Sequence, residues 1–578
     1  MKPVKKIEKL LLDALKKLGI EPVSASLLVE ECSAERFGDY TSNVAMQLFP
    51  MVEKGRWNSP HALAEEIVNT LDTTLSPTVA GPGFINFTLT DTDLSHNIRE
   101  ILDGENIVKL NQGKKAIVEY SSPNIAKPFT IGHLRTTIIG AAVANLLENT
   151  GYIVYRDNHL GDWGTQFGKL IVAIKELGEE KESLNVERIT TAAEPVKELV
   201  KLYVEFHEKA EIDPTLEDRA REWFTKLENG DQEARRLWQL CIDWSWTEFD
   251  RIYTELGVFF SENNGRGYGE SYFEDKMSQV VDILEKSGYM KTGEEGAKLF
   301  FFPDEEFSPL MILKKDGSTL YATRDLATDF FRINQPKYGK DILIINEVGA
   351  EQTLYFRQIY RIEELLGWVK PGQRIHVKHG LYRLKEGKMS TRKGNVIWLG
   401  DAITEAKERA IALQVASKRP ANLQTAKQVA IGALKWNDLK RSSQLDVTFD
   451  WDEILSMDGN SGPYMQYTVV RAKSVLGKAL EIKPEASTEA TFSAVERTLA
   501  RELLYFENTL YRAATEYAPH LLCTYLYTLA GTFNSFYNTH RILDENEHIA
   551  KRLALTQAVV STLELGMAII GIEIPESM

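Results

Sequence analysis

His133 closes the run TIGH (Thr130 to His133), where a proline-interrupted loop meets a long apolar stretch. An imidazole placed there could donate to a phosphate oxygen. Gly132 would let a ligand come close to the backbone, and Lys127 adds a cation just upstream. Far along the chain, LKEGKMSTRKGN (Leu384 to Asn395) gathers Lys388, Met389, Ser390, Arg392 and Lys393 among small residues. Flexible cations on a mobile loop suit charge that develops on phosphates during group transfer. Each element alone has a plain alternative: a capping or packing histidine in one case, a solvated charged loop in the other. Together they fit opposite sides of one ATP site.

The flanking sequence supplies the elements that would hold them. KAIVEY (Lys115 to Tyr120) reads as a buried strand, and Pro123 and Pro128 then interrupt regular structure. From Ile131, the apolar residues Leu134, Ile138, Ile139, Ala142, Val143, Leu146 and Leu147 recur at helical spacing. Gly151 is placed to end that helix, and YIVY (Tyr152 to Tyr155) resumes as a strand. Such a unit aims unpaired N–H groups and the positive end of a helix dipole into the crevice of a parallel sheet, so an anion is the expected guest. Neither G-x-G-x-x-G nor G-x-x-x-x-G-K-[ST] occurs at this turn, which leaves the usual dinucleotide fold and the P-loop ATPase poorly supported. A second half follows: DILIIN (Asp341 to Asn346) as strand, EQTLYFRQIYRIEELLGW (Glu351 to Trp368) as helix, RIHVKHG as strand. On that strand His376 and His379 point to opposite faces and make no metal site. A long, charged, mostly helical insert separates the halves, clearest from Thr215 to Gly257.

A chain of 578 residues exceeds a single core. The expected fold is multidomain: a small α+β unit over 1–108, an α/β Rossmann-like split catalytic domain over 109–456 with helical insertions at about 170–340, and an all-α bundle over 457–578. Hydrophobic residues at 43% and charged residues at 26% are ordinary globular values, which excludes disorder. The net charge of −15 argues against indiscriminate nucleic-acid binding, yet KMSTRKGN and RILDENEHIAKR leave room for local basic faces. Cys32, Cys241 and Cys523 lie too far apart for a disulfide framework or a cysteine zinc site. No apolar run approaches a membrane span, and MKPVKKIEKLLLDALKKLG reads as an amphipathic helix rather than a cleavable signal, so a cytoplasmic protein is expected.

TIGH and KMSTR resemble the HIGH and KMSKS elements of class I aminoacyl-tRNA synthetases. The wider set VEYSSPNIAKPF…GHLRTTIIG, HLGDWGTQFG, YATRDLATD, KMSTRKGN, GNSGPYMQY and LGMAIIGIEIPESM is similar to arginyl-tRNA synthetase segments, in the family's order and over nearly the whole chain. The resemblance implies an arginine-tRNA ligase using ATP and Mg²⁺, with L-arginine and tRNA(Arg) as partners. It also implies transfer to the 2′-hydroxyl of the terminal adenosine, and a bound tRNA needed even for activation. Carried over by position, His133, Lys388, Lys127 and Thr130 are catalytic, while Thr130, Gly132, His133, Lys388, Met389 and Ser390 bind ATP. Glu119, Asn124, His133, Tyr321, Asp325 and Gln352 line the arginine pocket. The amino-terminal domain resembles a tRNA-elbow module and the bundle an anticodon reader, with tRNA contacts expected at Tyr464, Gln466, Tyr467, Arg471 and Asn86.

Thr130 departs from the usual histidine and brings no charge, so phosphate contact falls more on His133 and Lys127; NEVGAEQTLYF also departs from the family's wording around Gln352. The pocket chemistry agrees with the resemblance: a guanidinium has five donors and needs carboxylates, which Glu119 and Asp325 supply. Asp325 shares a helical face with Tyr321, and its alternative is an ion pair with Arg324. No editing domain is apparent, in keeping with a site whose charged fork already rejects substrates that leave it unpaired. A monomer is expected. Two other classes stay open, a synthetase for another amino acid and a non-catalytic tRNA-binding relative; the second should lack one or both ATP elements, and both are present.

Overall fold

The computed structural model describes residues 2–21, 29–32, 35–53, 55–105, 107–177, 186–293, 295–384, 387–388, 397–487, 491–544 and 548–578. At its centre lies an all-parallel sheet of β1 (Lys115–Glu119), β2 (Ile153–Asp157), β3 (Leu343–Gly349) and β4 (Arg374–His379), in the order β4-β3-β1-β2. The two halves of the chain meet between β1 and β3, so the crevice beyond the carboxyl ends of these strands is the topological switch point. Ala116, Ile117, Val118, Ile344 and Ile345 are fully buried, as parallel strands covered on both faces require.

Helix α1 (Ile131–Asn149) crosses from β1 to β2. Its apolar residues are buried as their spacing indicates, but so are Arg135, Thr136 and Thr137, which makes it a central helix enclosed on most sides. It comes so near the strand end that a Cβ on Gly140 would overlap Tyr120. Gly151 follows the end of the helix at φ 110, a conformation that favours glycine. In the second half, α2 (Tyr321–Asn334) precedes β3 and α3 (Thr353–Leu365) connects β3 to β4.

The insert is mostly helical, as expected, but carries a sheet that the sequence did not reveal. Besides helices Pro195–Ile212, Thr215–Glu228 and Gln232–Leu256, it contains an antiparallel sheet of Met290–Thr292, Lys298–Phe300 and Leu310–Leu313. Phe300 and Ile312 of this sheet form a satellite core with Leu326 of α2 and Ile359 of α3. Strands of three or four residues carry too little alternation to be seen in a pattern.

The amino-terminal unit is a four-stranded antiparallel sheet with helices Lys2–Lys17, Pro60–Thr70 and Asp91–Leu102. The carboxy-terminal unit is a helical bundle from Gly462 onward. These two units touch directly: Arg497 bridges Asp39 (3.0 Å) and Asp91 (2.8 Å), the Tyr505 hydroxyl donates to the Asp39 carbonyl, and Arg99 donates to the Ala486 carbonyl. Helix α4 (Leu423–Leu439) packs against both α1 and the bundle helix Gly462–Gly477. Its buried Lys435 donates to the Leu256 carbonyl (2.6 Å), at the end of an insert helix, and to the Gly571 carbonyl (2.5 Å), just past the last helix of the bundle.

Candidate active site

The loop after β1 turns into α1 through Thr130, which holds the extended N-cap conformation. The Thr130 backbone N–H donates to His133 Nδ1 (3.0 Å), and Thr130 Oγ1 lies 3.1 Å from the same nitrogen. With Nδ1 accepting, the proton of the neutral ring sits on Nε2. Burial, aided by the nearby His379 and Lys127, pushes the imidazole down to about 4, so at neutral pH the ring is an uncharged Nε2–H donor. A Cβ on Gly132 would meet only Thr130 Oγ1 at 3.4 Å, which leaves the outer face of this turn open. Thr130 itself departs from expectation: its hydroxyl is turned onto His133, and the residue is only 9% exposed. Lys127 is half-buried; burial lowers its pKa, opposed by Glu270.

The basic loop is tied to this helix start on both sides. On its exit side Thr130 pairs with Trp398, Ile131 N–H donates to the Ile397 carbonyl, and Leu399 N–H donates to the Phe129 carbonyl. On its entry side the strand Tyr382–Leu384 pairs with Val447–Phe449 and with the backbone of Gly387 and Lys388. Arg135 joins the two. This buried residue, on the first turns of α1, pairs with Asp438 of α4 (3.2 Å) and donates to the carbonyls of Leu445 (2.7 Å) and Ser443 (3.0 Å). The same segment accepts the Gly380 N–H at Ser443 and, through Asp446, the Leu381 N–H (2.8 Å) and Arg383 (2.6 Å). The helix carrying His133 therefore holds the strand that launches the loop. Sequence reasoning missed Arg135; its signal was a lone charge inside an apolar helical run. Met389, Ser390, Arg392 and Lys393 lie outside the described residues.

A cavity of about 240 Å³ opens at the carboxyl ends of β1 and β3, with Glu119, His159, Glu270, Tyr321, Asp325 and Gln352 in its wall. Four of the six residues expected around arginine are brought together here. Asn124 and His133 are not in the wall: Asn124 forms a bridge with Gly161, and His133 sits at the adjoining helix start. The Tyr355 hydroxyl donates to Asp325 Oδ2, and His159 Nε2 lies 3.7 Å from Asp325 Oδ1. Burial raises the Asp325 pKa, with His159 and Tyr355 opposing. Arg324 turns instead to Glu274 (3.1 Å) and Glu270 (3.8 Å), which removes it as the partner of Asp325.

Glu119 also departs from expectation. Its Oε2 accepts from Arg332 (2.5 Å) and its Oε1 from Asn346 (2.9 Å), so it holds one of the chain's own guanidinium groups. Arg332, 1% exposed, spans Glu119, Asp157 and Asp329, the set of carboxylates a buried guanidinium needs. Burial works to raise the Glu119 pKa, but Arg332 and His159 more than offset it and hold it below the usual carboxylate range. Sequence reasoning gave no role to His159, Glu270 or Tyr355, although HLGDWGTQFG contains the first. A larger cavity, of about 510 Å³, lies at the junction of α4 with the bundle, away from this chemistry.

On the bundle, Tyr467 is 38% exposed and Arg471 lies over the Tyr537 ring at 3.8 Å. Tyr464 is half-buried, its hydroxyl accepting from Asn534 (2.9 Å). Two expected tRNA contacts fail on burial. Gln466 is fully enclosed, donating to the Gln428 and Glu573 carbonyls, and Asn86 is 5% exposed in an inner strand between Thr41 and Thr78. Both amides serve packing.

A parallel sheet split by an insert, with a glycine-histidine helix start at the switch point tied to the segments that flank the basic run, defines the class: a class I aminoacyl-tRNA synthetase fold. Residues 97–451 match the family model described as tRNA synthetases class I (R), catalytic domain; residues 465–578 match the DALR anticodon binding domain and residues 5–89 the arginyl tRNA synthetase N terminal domain. The chain belongs to the arginyl-tRNA synthetase family. It is 38% identical to an arginine--tRNA ligase of Clostridioides difficile (strain 630), over 99% of each chain, and 38% identical to one of Streptococcus suis (strain 05ZYH33), over 95% of this chain and 96% of the relative. Its structure resembles the arginyl-tRNA synthetase of Plasmodium falciparum with a TM-score of 0.83 and 25% identity, covering 100% and 99% of the two chains. The Thermus thermophilus arginyl-tRNA synthetase shares the fold, with a TM-score of 0.79 at 24% identity over 99% and 100%.

Proposed function

We propose that this chain activates L-arginine with ATP and transfers it to the terminal adenosine of tRNA(Arg). The observation that carries the reading is the cavity at the switch point. Asp325 stands in its wall with no arginine partner among the described residues, while the uncharged His133 donor sits on the adjoining helix start. The guanidinium of the substrate takes Asp325, with Tyr321 and Gln352 positioning the rest. The arginine α-carboxylate attacks the α-phosphorus of ATP in line, and the bond to pyrophosphate breaks with its electron pair leaving on that group. No protein nucleophile is needed, because both reactants are held side by side. His133 Nε2–H and the open amino end of α1 meet the phosphate oxygens, and Lys388 with Lys127 meets charge that grows in the transition state. Mg²⁺, when bound with the nucleotide, would supply positive charge to its phosphates. Among the described residues no group of three or more His, Cys, Asp or Glu is placed to hold a metal ion. The ribose 2′-hydroxyl of tRNA then attacks the adenylate carbonyl and AMP departs.

The amino-terminal unit, residues 1–108, takes the tRNA elbow and the bundle, residues 457–578, the anticodon. Tyr467 and Arg471 supply a ring and a cation suited to unstacked bases. Among the described residues no helix is long and apolar enough to cross a membrane; the chain acts as a monomer in the cytoplasm. An aminoacylation assay with radiolabelled arginine, ATP and total tRNA tests the reading. ATP-dependent charging of tRNA with arginine is expected; charging with a different amino acid, or none, refutes it.

A further inference from the structure

His159 stands in the wall of the arginine cavity and takes no part in the steps above. Its Nδ1 lies 3.0 Å from the Tyr268 carbonyl oxygen, which can only accept, so Nδ1 carries a proton. Its Nε2 is buried without a hydrogen-bond partner among the described residues, and Asp325 Oδ1 lies 3.7 Å away. A bare lone pair there would set two acceptors against each other in a dry setting, whereas a proton on Nε2 makes the pair an imidazolium beside a carboxylate. The surroundings favour the proton. Glu119 from β1, Asp325 from α2 and Glu270 from the insert face the ring, with Asp162 nearby; Arg332 from α2 opposes them, and Tyr355 from α3 donates to Asp325. Burial works against the charge, but the carboxylates outweigh it and hold His159 above its ordinary value.

We propose that His159 holds a proton on Nε2 in the empty pocket, standing in for the absent guanidinium, and that arginine binding expels it. The inference rests on the arginine reading of this cavity. As the guanidinium takes Asp325, the imidazolium loses its partner and gains a second cation as neighbour. The Nε2–H bond breaks, the electron pair stays on nitrogen and the proton passes to solvent. One positive charge enters and one leaves, so the cavity keeps its balance. Arginine affinity therefore weakens as pH falls below the free-pocket value of His159, by up to about tenfold per pH unit, and is flat above it.

Calorimetric titration of the full chain with arginine, in buffers of different ionisation enthalpy between about pH 6 and 8, counts the protons. The expected result is release of up to one proton per arginine, with affinity rising with pH, and loss of that release in His159→Gln. Binding without proton release anywhere in this range overturns the proposal on the unmodified chain alone. A release undiminished in His159→Gln overturns it too, by assigning the proton to a carboxylate. A chain that does not bind arginine refutes the reading of the pocket itself, and this proposal with it.

Discussion

Replacing Arg135 by methionine tests how the two halves of the active site are held in register. The guanidinium is 1% exposed and makes bonds to Asp438 and to the carbonyls of Ser443 and Leu445. Methionine fills much of the space and leaves the Asp438 carboxylate buried without its cation. Burial already pushes the Asp438 pKa up, and Arg135 is the largest influence opposing it. Breaking one side of a buried pair costs about 3–5 kcal/mol, and two stranded carbonyls push towards the upper end. A multidomain chain does not unfold in one step, so the readout is the first thermal transition, which should fall well below that of the parent. Adding Asp438→Asn should restore much of the loss, because it removes the stranded charge. Arg135 is not in the wall of the arginine cavity, so the KM for arginine should hold. The adenylation kcat should drop on the order of 10²-fold as the strand leading into the basic run loses its anchor on the helix that carries His133. A destabilised variant with unchanged kcat, or a double variant no more stable than the single, would refute the coupling.

Asp325→Asn keeps the shape but removes the charge that receives the guanidinium. A loss of roughly 1.5–3 kcal/mol should lower kcat/KM for arginine by ~10²-fold or more while leaving the slow rate with citrulline little changed; parental efficiency would assign Asp325 to structure. Lys388→Ala should slow adenylate formation in rapid-quench kinetics far more than it weakens arginine binding, and an unchanged rate would remove Lys388 from the transition state. Binding of tRNA should weaken steeply with salt despite the net charge of −15, since the contacting faces are basic; a flat log–log plot of affinity against salt contradicts this. His133, pushed down to about 4, binds fewer protons folded than unfolded between that value and about 6.5. Its contribution to stability should therefore fall as pH drops through that window, and adenylation kcat should show no acid limb near 6.5; a limb that vanishes in His133→Asn would show a charged ring.

The helix Ile131–Asn149 and the strands beside it were legible because apolar spacing over many residues reports a buried helix, and short apolar runs report parallel strands. Tyr321, Asp325 and Gln352, named through the resemblance, lie in the wall of one cavity. Contacts between distant parts of the chain were not legible. Nothing local to Glu119 announces a partner 213 residues away, so its carboxylate read as open to substrate when Arg332 already holds it. Gln466 read as a polar face of a helix, yet its amide meets carbonyls on α4 and at the end of the chain. His159 passed unremarked because an imidazole acquires a role only from the carboxylates that fold around it.

The contact between the terminal units has a consequence for the birth of the chain. Asp39 and its partner Arg497 are 458 residues apart. At a ribosomal pace of about 5–20 residues per second, the first unit emerges roughly 20–90 s before the helix that covers it. For that interval the face bearing Asp39, Asp91 and Arg99 looks onto water, and charged side chains suit the wait better than an apolar patch would. That face is not charged throughout: Leu94, Ile98 and Ile101 lie on the helix that the late bundle helices cover, and Tyr40 adds a ring. It is 1% exposed in the finished molecule and packs edge-on against Tyr505, a ring that also arrives late. A ribosome halted before residue 494 would release an amino-terminal unit with this ring and the buried face of helix Asp91–Leu102 uncovered, and chaperones that read exposed apolar surface would find them there.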